Sequence, residues 1–138
     1  MRKRVKMLII FLVIGIGFFN GCSTTSNVEN KLQITSFQID QGDSTGSGGN
    51  INMPYIATVK VANYGSTIVS NSELTVTLYK NNNIADSQMK QLQNIGKNSE
   101  VTQKITVSDS HYSYQAQYKV VVTIQVGSKI LDIKSMNL

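Results

Sequence analysis

Tryptophan is absent from this 138-residue chain, and cysteine, histidine and proline occur once each. With Cys22 alone, an intramolecular disulfide is impossible, so a domain exported from the cytoplasm must hold together through its core. With His111 alone and no CxxC or HExxH spacing, the chain lacks the ligand patterns of a zinc centre. Without tryptophan, few aromatic platforms remain for a carbohydrate-binding module. Arginine is confined to Arg2 and Arg4, so the rest of the chain cannot make the bidentate phosphate and guanine contacts that carry nucleic-acid recognition, and no nucleic-acid partner is expected. The formal charge of +5 points the same way once it is divided. Four of the 13 basic residues and none of the 8 acidic ones precede Cys22, which leaves nine scattered lysines against eight acids.

What the chain does have begins at its start. Arg2, Lys3, Arg4 and Lys6 form a positive region, followed by the uncharged run Met7 to Phe19. Thirteen residues are too few to span a bilayer as a helix, which takes roughly 20, but they fit the hydrophobic region of a signal peptide. The run closes in Phe19-Asn20-Gly21-Cys22, which resembles the lipobox of prokaryotic lipoproteins, with Phe19 and Asn20 departing from its usual residues. That resemblance implies cleavage after residue 21 and diacylation of Cys22, hence a partner in the membrane itself and a site on the extracytoplasmic side of the cell membrane. Two or more acyl chains anchor stably where one does not. Residues 22–30, rich in Ser, Thr and Asn, read as a short tether, and residues 31–138 as one domain.

That domain reads as all-β, an immunoglobulin-like antiparallel sandwich of about seven strands, with a small barrel as the competing architecture. Apolar residues alternate with period two along most of it. Leu32 and Ile34 have one parity and Phe37 and Ile39 the other, which predicts a bulge near Thr35-Ser36 that would let the first strand shift between two sheets. Tyr55, Ala57, Val59 and Val61 form the next strand, and Leu74, Val76 and Leu78 the third. Asn81-Asn82-Asn83 then supplies a turn into a short edge strand over 84–90. Val101 to Val107 alternate again. The strongest segment runs from Tyr112 to Val126 with a single parity and reads as a central strand. Gly127-Ser128 fits a II′ hairpin that would set Ile124 opposite Leu131 and Val122 opposite Ile133.

The segments Val59 to Gly65, Leu74 to Tyr79 and Leu92 to Gly96 together resemble the bacterial and archaeal CARDB-type domain. They are also similar to the FxLYD domain, whose motif would align with Val76 to Lys80, with Val in place of Phe and Lys in place of Asp. Either resemblance, over roughly residues 55–133, implies an immunoglobulin-like sandwich on an exported or membrane-anchored protein. The acidic, asparagine-rich tail frequent in CARDB-type domains is missing from Lys134 to Leu138.

Nothing in the chain assembles a nucleophile, a base and an orienting group. Asp109, Ser110 and His111 are consecutive, and neighbours in sequence do not face one another as a triad requires, so no enzyme is expected. Calcium has candidates in Asp40, Asp43 and Asp109, but the Asp40 to Asn50 segment lacks the DxDxDG order and reads as a mobile loop, so no cofactor or metal is expected. Tyr118 or Tyr114 suits a tyrosine corner. Tyr79 points outward with Thr75, Thr77, Val121, Thr123 and Ile130 and offers a contact patch, and Tyr64, at its turn, offers another. The expected function is therefore a lipid-anchored, non-catalytic binding or adhesion module acting on an envelope protein or surface polymer. An accessory subunit or inhibitor of an envelope enzyme is the alternative, working through 41–50 or 109–113.

Overall fold

The computed structural model describes residues 31–138. The signal segment 1–21, the tether 22–30 and Cys22 lie outside the described residues. The described residues form seven strands: β1 (Leu32–Gln41), β2 (Met53–Asn63), β3 (Ser72–Lys80), β4 (Asn83–Leu92), β5 (Ser99–Asp109), β6 (Tyr118–Val126) and β7 (Lys129–Asn137). They pair antiparallel in two sheets, ordered β1-β2-β5 and β4-β3-β6-β7, which is an immunoglobulin-like sandwich. Among the described residues no helix is long and apolar enough to cross a membrane.

Alternation decides which face of each strand is buried. Ala57, Val59 and Val61 of β2 meet Leu74, Val76 and Leu78 of β3 and Val120, Val122 and Ile124 of β6 in one core, all of them sealed from solvent. As the parity required, β6 is an interior strand, between β3 and β7. It begins only at Tyr118, however, because the Tyr118 hydroxyl accepts the Ser113 main-chain N–H at 3.0 Å and folds residues 112–117 back as a turn. This is the tyrosine corner, filled by Tyr118. At the Asn81-Asn82 turn both residues take positive φ, +49° and +67°. The β4 strand that follows runs to Leu92, longer than expected.

Three bulges shape the strand edges. In β1 the register slips between Ile34 and Ser36, leaving Thr35 unpaired, as the change of parity required. The strand nevertheless keeps β2 as its partner throughout and does not cross to the second sheet. In β4 the slip leaves Ala85 unpaired, and in β7 it leaves Leu131 unpaired. The β7 bulge corrects the expected hairpin register. Val126 does pair with Lys129, but Ile124 faces Asp132 and Val122 faces Lys134, while Ile133 turns outward opposite Thr123.

The β4 and β7 bulges have a common purpose. Each delivers an aspartate to a seam of the sandwich, where the edge of one sheet meets the edge of the other. Asp132 on β7 accepts the Ile34 N–H of β1 at 2.9 Å, and Asp86 on β4 accepts the Ser108 N–H of β5 at 2.9 Å. Open strand edges carry unpaired donors that invite another chain. Here one donor on each exposed edge of the three-stranded sheet is taken by a carboxylate.

Residues 41–52 form a paired extension of the β1–β2 ladder rather than an open loop. Thr45 and Asn52 exchange main-chain hydrogen bonds of 3.0 and 2.8 Å, and Gly42 N–H donates to Pro54 O at 2.9 Å. Gly46, at φ +107°, is obligatory at the tip, since a Cβ there would lie 2.2 Å from the Asn50 carbonyl oxygen.

Candidate functional site

The two outer faces of the sandwich differ in chemistry. On the three-stranded sheet, register places Gln38, Thr58 and Lys104 in one row and Ser36, Lys60 and Thr102 in the next, a polar and charged surface. On the four-stranded sheet, Met89, Thr75, Thr123 and Ile133 form one row, and Ser87, Thr77, Val121 and Ser135 the next. Ile84, Met89, Ile130 and Ile133 are each more than half exposed there. Small β-branched residues in the middle and larger apolar ones along both edges make this a broad face without charge at its centre. Thr77 Oγ1 and Ser87 Oγ lie 2.9 Å apart, so these two hydroxyls are partnered within the face.

Tyr79, Thr77 and Thr123 thus share one surface, as their parity required, with Thr75, Val121 and Ile130. Tyr64 does not join them. It follows β2 at the end of the sandwich where β1 begins, whereas Tyr79 lies near the opposite end of β3. Tyr79 instead borders a cleft of about 400 Å³ with Asn82, Gln117, Tyr118 and Lys119. Ile84, Met89 and Ile133 were not readable as members of the face: Ile84 and Ile133 depend on bulges, and β4 carries too few apolar residues to show its period.

At the Tyr79 end, Asp109 closes β5 and is buried. Its carboxylate accepts the Tyr118 hydroxyl at 2.7 Å, pairs with Lys80 Nζ at 2.8 Å and accepts the His111 main-chain N–H at 3.0 Å. Burial alone would raise the Asp109 carboxyl, but these three donors together outweigh it and hold it below the usual carboxylate range. The hydrogen bond to Asp109 raises Lys80 in turn. Lys80 Nζ also donates to the His111 carbonyl and lies 5.9 Å from the centre of the Tyr118 ring. Tyr112 stacks on Tyr118 at 5.4 Å, and Tyr55 leans against it at 6.0 Å. Burial, with the charge of its neighbours, pushes the Tyr55 hydroxyl up to about 12.

This cluster spends its polar groups on one another, which is the chemistry of a structural pin. Ser110 Oγ and His111 Nδ1 do touch, at 2.9 Å, contrary to the expectation that consecutive residues would not. The Asp109 carboxylate, however, takes the His111 main-chain N–H and is otherwise bound to Lys80 and Tyr118. Asp40, Asp43 and Asp109 do not converge. Asp40 is exposed and accepts from Gln38 Nε2 at 3.0 Å, and Asp109 sits at a strand end rather than in a loop. Among the described residues no group of three or more His, Cys, Asp or Glu side chains is placed to hold a metal ion.

No family model matches the chain, and no curated protein matches it either. Solved structures do share its fold. A putative β-galactosidase from Bacteroides fragilis superposes with a TM-score of 0.66 at 17% identity, over 78% of this chain and 17% of its own. A Bacteroides uniformis β-glucuronidase matches at 0.67 and 11% identity, over 78% of this chain and 14% of its own. A protein from Archaeoglobus fulgidus matches at 0.51 and 15% identity, over 77% of this chain and 93% of its own. The likeness is one of fold, and in the two glycosidases it concerns a domain-sized share of a much longer chain.

Proposed function

We propose that this protein is a lipid-anchored, extracytoplasmic module without catalytic activity, which binds an envelope protein or surface polymer through the outer face of the β4-β3-β6-β7 sheet. The observation that carries this reading is the contrast between the two outer faces. One is polar and charged; the other exposes Ile84, Met89, Ile130 and Ile133 around Thr75, Thr77, Val121 and Thr123. Contiguous exposed apolar surface marks interaction sites, which supports this face as the one that binds. The lipobox-like residues before Cys22 support the anchor and the location.

A second reading, an accessory subunit or inhibitor of an envelope enzyme, draws on a different observation. The same fold makes up a domain-sized share of chains named β-galactosidase and β-glucuronidase, so it is compatible with service beside a catalytic domain. Expression of the full chain in a bacterial host, alongside Cys22→Ala, tests the anchor through intact mass and membrane partitioning. Acylated mass starting at Cys22, lost with partitioning in the variant, is the expected result; an unprocessed chain indifferent to the substitution would remove the anchor. Co-purification with an enzyme, rather than binding to surface polymer alone, would favour the accessory reading.

A further inference from the structure

The end of the sandwich from which the chain leaves toward Cys22 is formed by loops 64–71, 93–98 and 127–128, and it has a composition of its own. Tyr64 and Ile68 are each more than half exposed. Tyr64 sits directly at the chain entry, its N–H donating to the Lys31 carbonyl at 3.0 Å. The loop that carries both residues is fixed from beneath by the buried Asn63. Its side-chain amide donates to Thr67 O at 2.8 Å and Ile95 O at 3.0 Å, and its side-chain oxygen accepts the Gly65 N–H at 2.9 Å. Val69 and Ile95 exchange main-chain hydrogen bonds just beyond. Ile68 is thus held outward between two anchored positions, Thr67 and Val69.

Among the described residues, the loops at this end carry lysine and no acid. Lys97 is exposed in loop 93–98, Lys129 at the start of β7 and Lys31 at the chain entry. None of the three loops contains an acidic residue. Two carboxylates border the loops, Glu73 beside Ser70, Asn71 and Gly127 and Glu100 beside Tyr64 and Asn98, and each is held by neighbours: Glu73 by Gln91 and Gln125, Glu100 by Thr35 and Lys60. At the opposite end stand Asp40 and Asp43.

We propose that this end docks on an anionic lipid surface, with Tyr64 and Ile68 entering the headgroup region and Lys97 and Lys129 facing lipid phosphates. The inference rests on the lipid-anchor reading above. Eight residues lie between the acylated position and Lys31, and the nine steps they make reach only about 30 Å even fully extended, at 3.3–3.6 Å per residue. Strands of nine to eleven residues put the far loops roughly 30 Å further away. The anchored end is therefore the one within reach of the bilayer. Tyrosine is favoured at membrane interfaces because its ring is apolar and its hydroxyl stays wet, and lysines near the surface are attracted to anionic headgroups. Docking would fix the sandwich upright and present the four-stranded face sideways, along the membrane.

The absence of tryptophan makes the test clean. The full, processed chain carrying Tyr64→Trp, Ile68→Trp or, at the far end, Tyr114→Trp is reconstituted in vesicles of phosphatidylglycerol and phosphatidylethanolamine containing brominated lipid. Sedimentation with the vesicles reports the anchor, and quenching of the introduced indole reports docking. The expected result is co-sedimentation of all three, with a blue shift and quenching for Tyr64→Trp and Ile68→Trp and neither for Tyr114→Trp. Adding Lys97→Glu and Lys129→Glu should abolish the quenching while leaving sedimentation intact. Co-sedimentation without quenching at either near-end position, or quenching at Tyr114→Trp alone, would overturn the docking and leave the anchor standing. Failure to co-sediment would overturn the anchor, and the docking with it. The two near-end probes guard against one variant failing to fold.

Discussion

The Asp132 carboxylate accepts the Ile34 main-chain N–H across one seam of the sandwich, at 2.9 Å. Asp86 takes the Ser108 N–H on the other seam at the same distance, and each aspartate follows a bulge residue in an edge strand. Replacing either by alanine leaves a strand-edge donor open and should cost about 1.5–3 kcal/mol, the range for hydrogen bonds to a charged group. The two latches share no partner, so their effects should add in the double variant. Urea unfolding measures the loss, and sedimentation velocity should show self-association of the double variant through its freed edges. A double variant as stable and as monomeric as the parent would show that the latches are incidental.

Around Tyr118 the coupling should be stronger than additive. Tyr118→Phe removes both a donor to Asp109 and the acceptor for the Ser113 N–H, for an expected loss of about 1–3 kcal/mol. Lys80→Met leaves the buried carboxylate without its cation, and because Lys80 is partly exposed the expected loss is about 2–3 kcal/mol, at or below the low end for broken buried pairs. Adding Asp109→Asn to Lys80→Met should restore part of that stability, since the orphaned charge is gone. A double-mutant cycle in urea reads the interaction directly.

Stability should fall at both ends of the pH scale for reasons traceable to these groups. Asp109 is held below its ordinary range, so its contribution is complete above the ordinary aspartate value, about 3.9, and is lost as pH drops through the lowered folded value. Lys80, Tyr55 and Tyr118 are raised, so theirs is complete below the ordinary values, about 10, and is lost as pH rises beyond. Urea midpoints measured against pH should form a plateau between these limits. Tyr55→Phe should flatten the alkaline decline between about 10 and 12 without touching the acid one. An alkaline limb unchanged by that substitution would contradict the assignment.

The strands that carry the core were legible because their alternation is uninterrupted: Tyr55 to Val61, Leu74 to Leu78 and Val120 to Ile124 bury the residues their parity named. The Asn81-Asn82 turn and the tyrosine corner were legible because each depends on a local property of one residue type. What escaped reading is set by long-range partners. Parity carried one strand from Tyr112 to Val126, but a hydroxyl five residues downstream turns the first part aside. Parity turned Ile133 inward, but the bulge at Leu131, which delivers Asp132 to a strand 98 residues away, turns it outward. The candidate face is larger than its sequence signal for that reason, and Tyr64 belongs to another surface.

That face can be changed without disturbing the core beneath it. Thr77 and Thr123 are half-buried surface positions, and Thr77→Lys or Thr123→Lys should shift stability by no more than about 1 kcal/mol. A charge placed among Ile133, Met89 and Val121 should nonetheless weaken any apolar contact made there, so each variant should lose binding while unfolding at nearly the parental urea concentration. Parallel loss of binding and stability would assign the face to the fold alone.

The central claim, that the chain acts through the outer face of the β4-β3-β6-β7 sheet, is tested most directly by site-specific photo-crosslinking in intact cells. A photoreactive amino acid is placed at Thr77 or Thr123 on that face and at Thr58 on the outer face of the other sheet. The account predicts a discrete adduct from Thr77 and Thr123, weakened by a charge at the neighbouring Ile133, and none from Thr58. Adducts of equal yield from both faces, or from Thr58 alone, would contradict it.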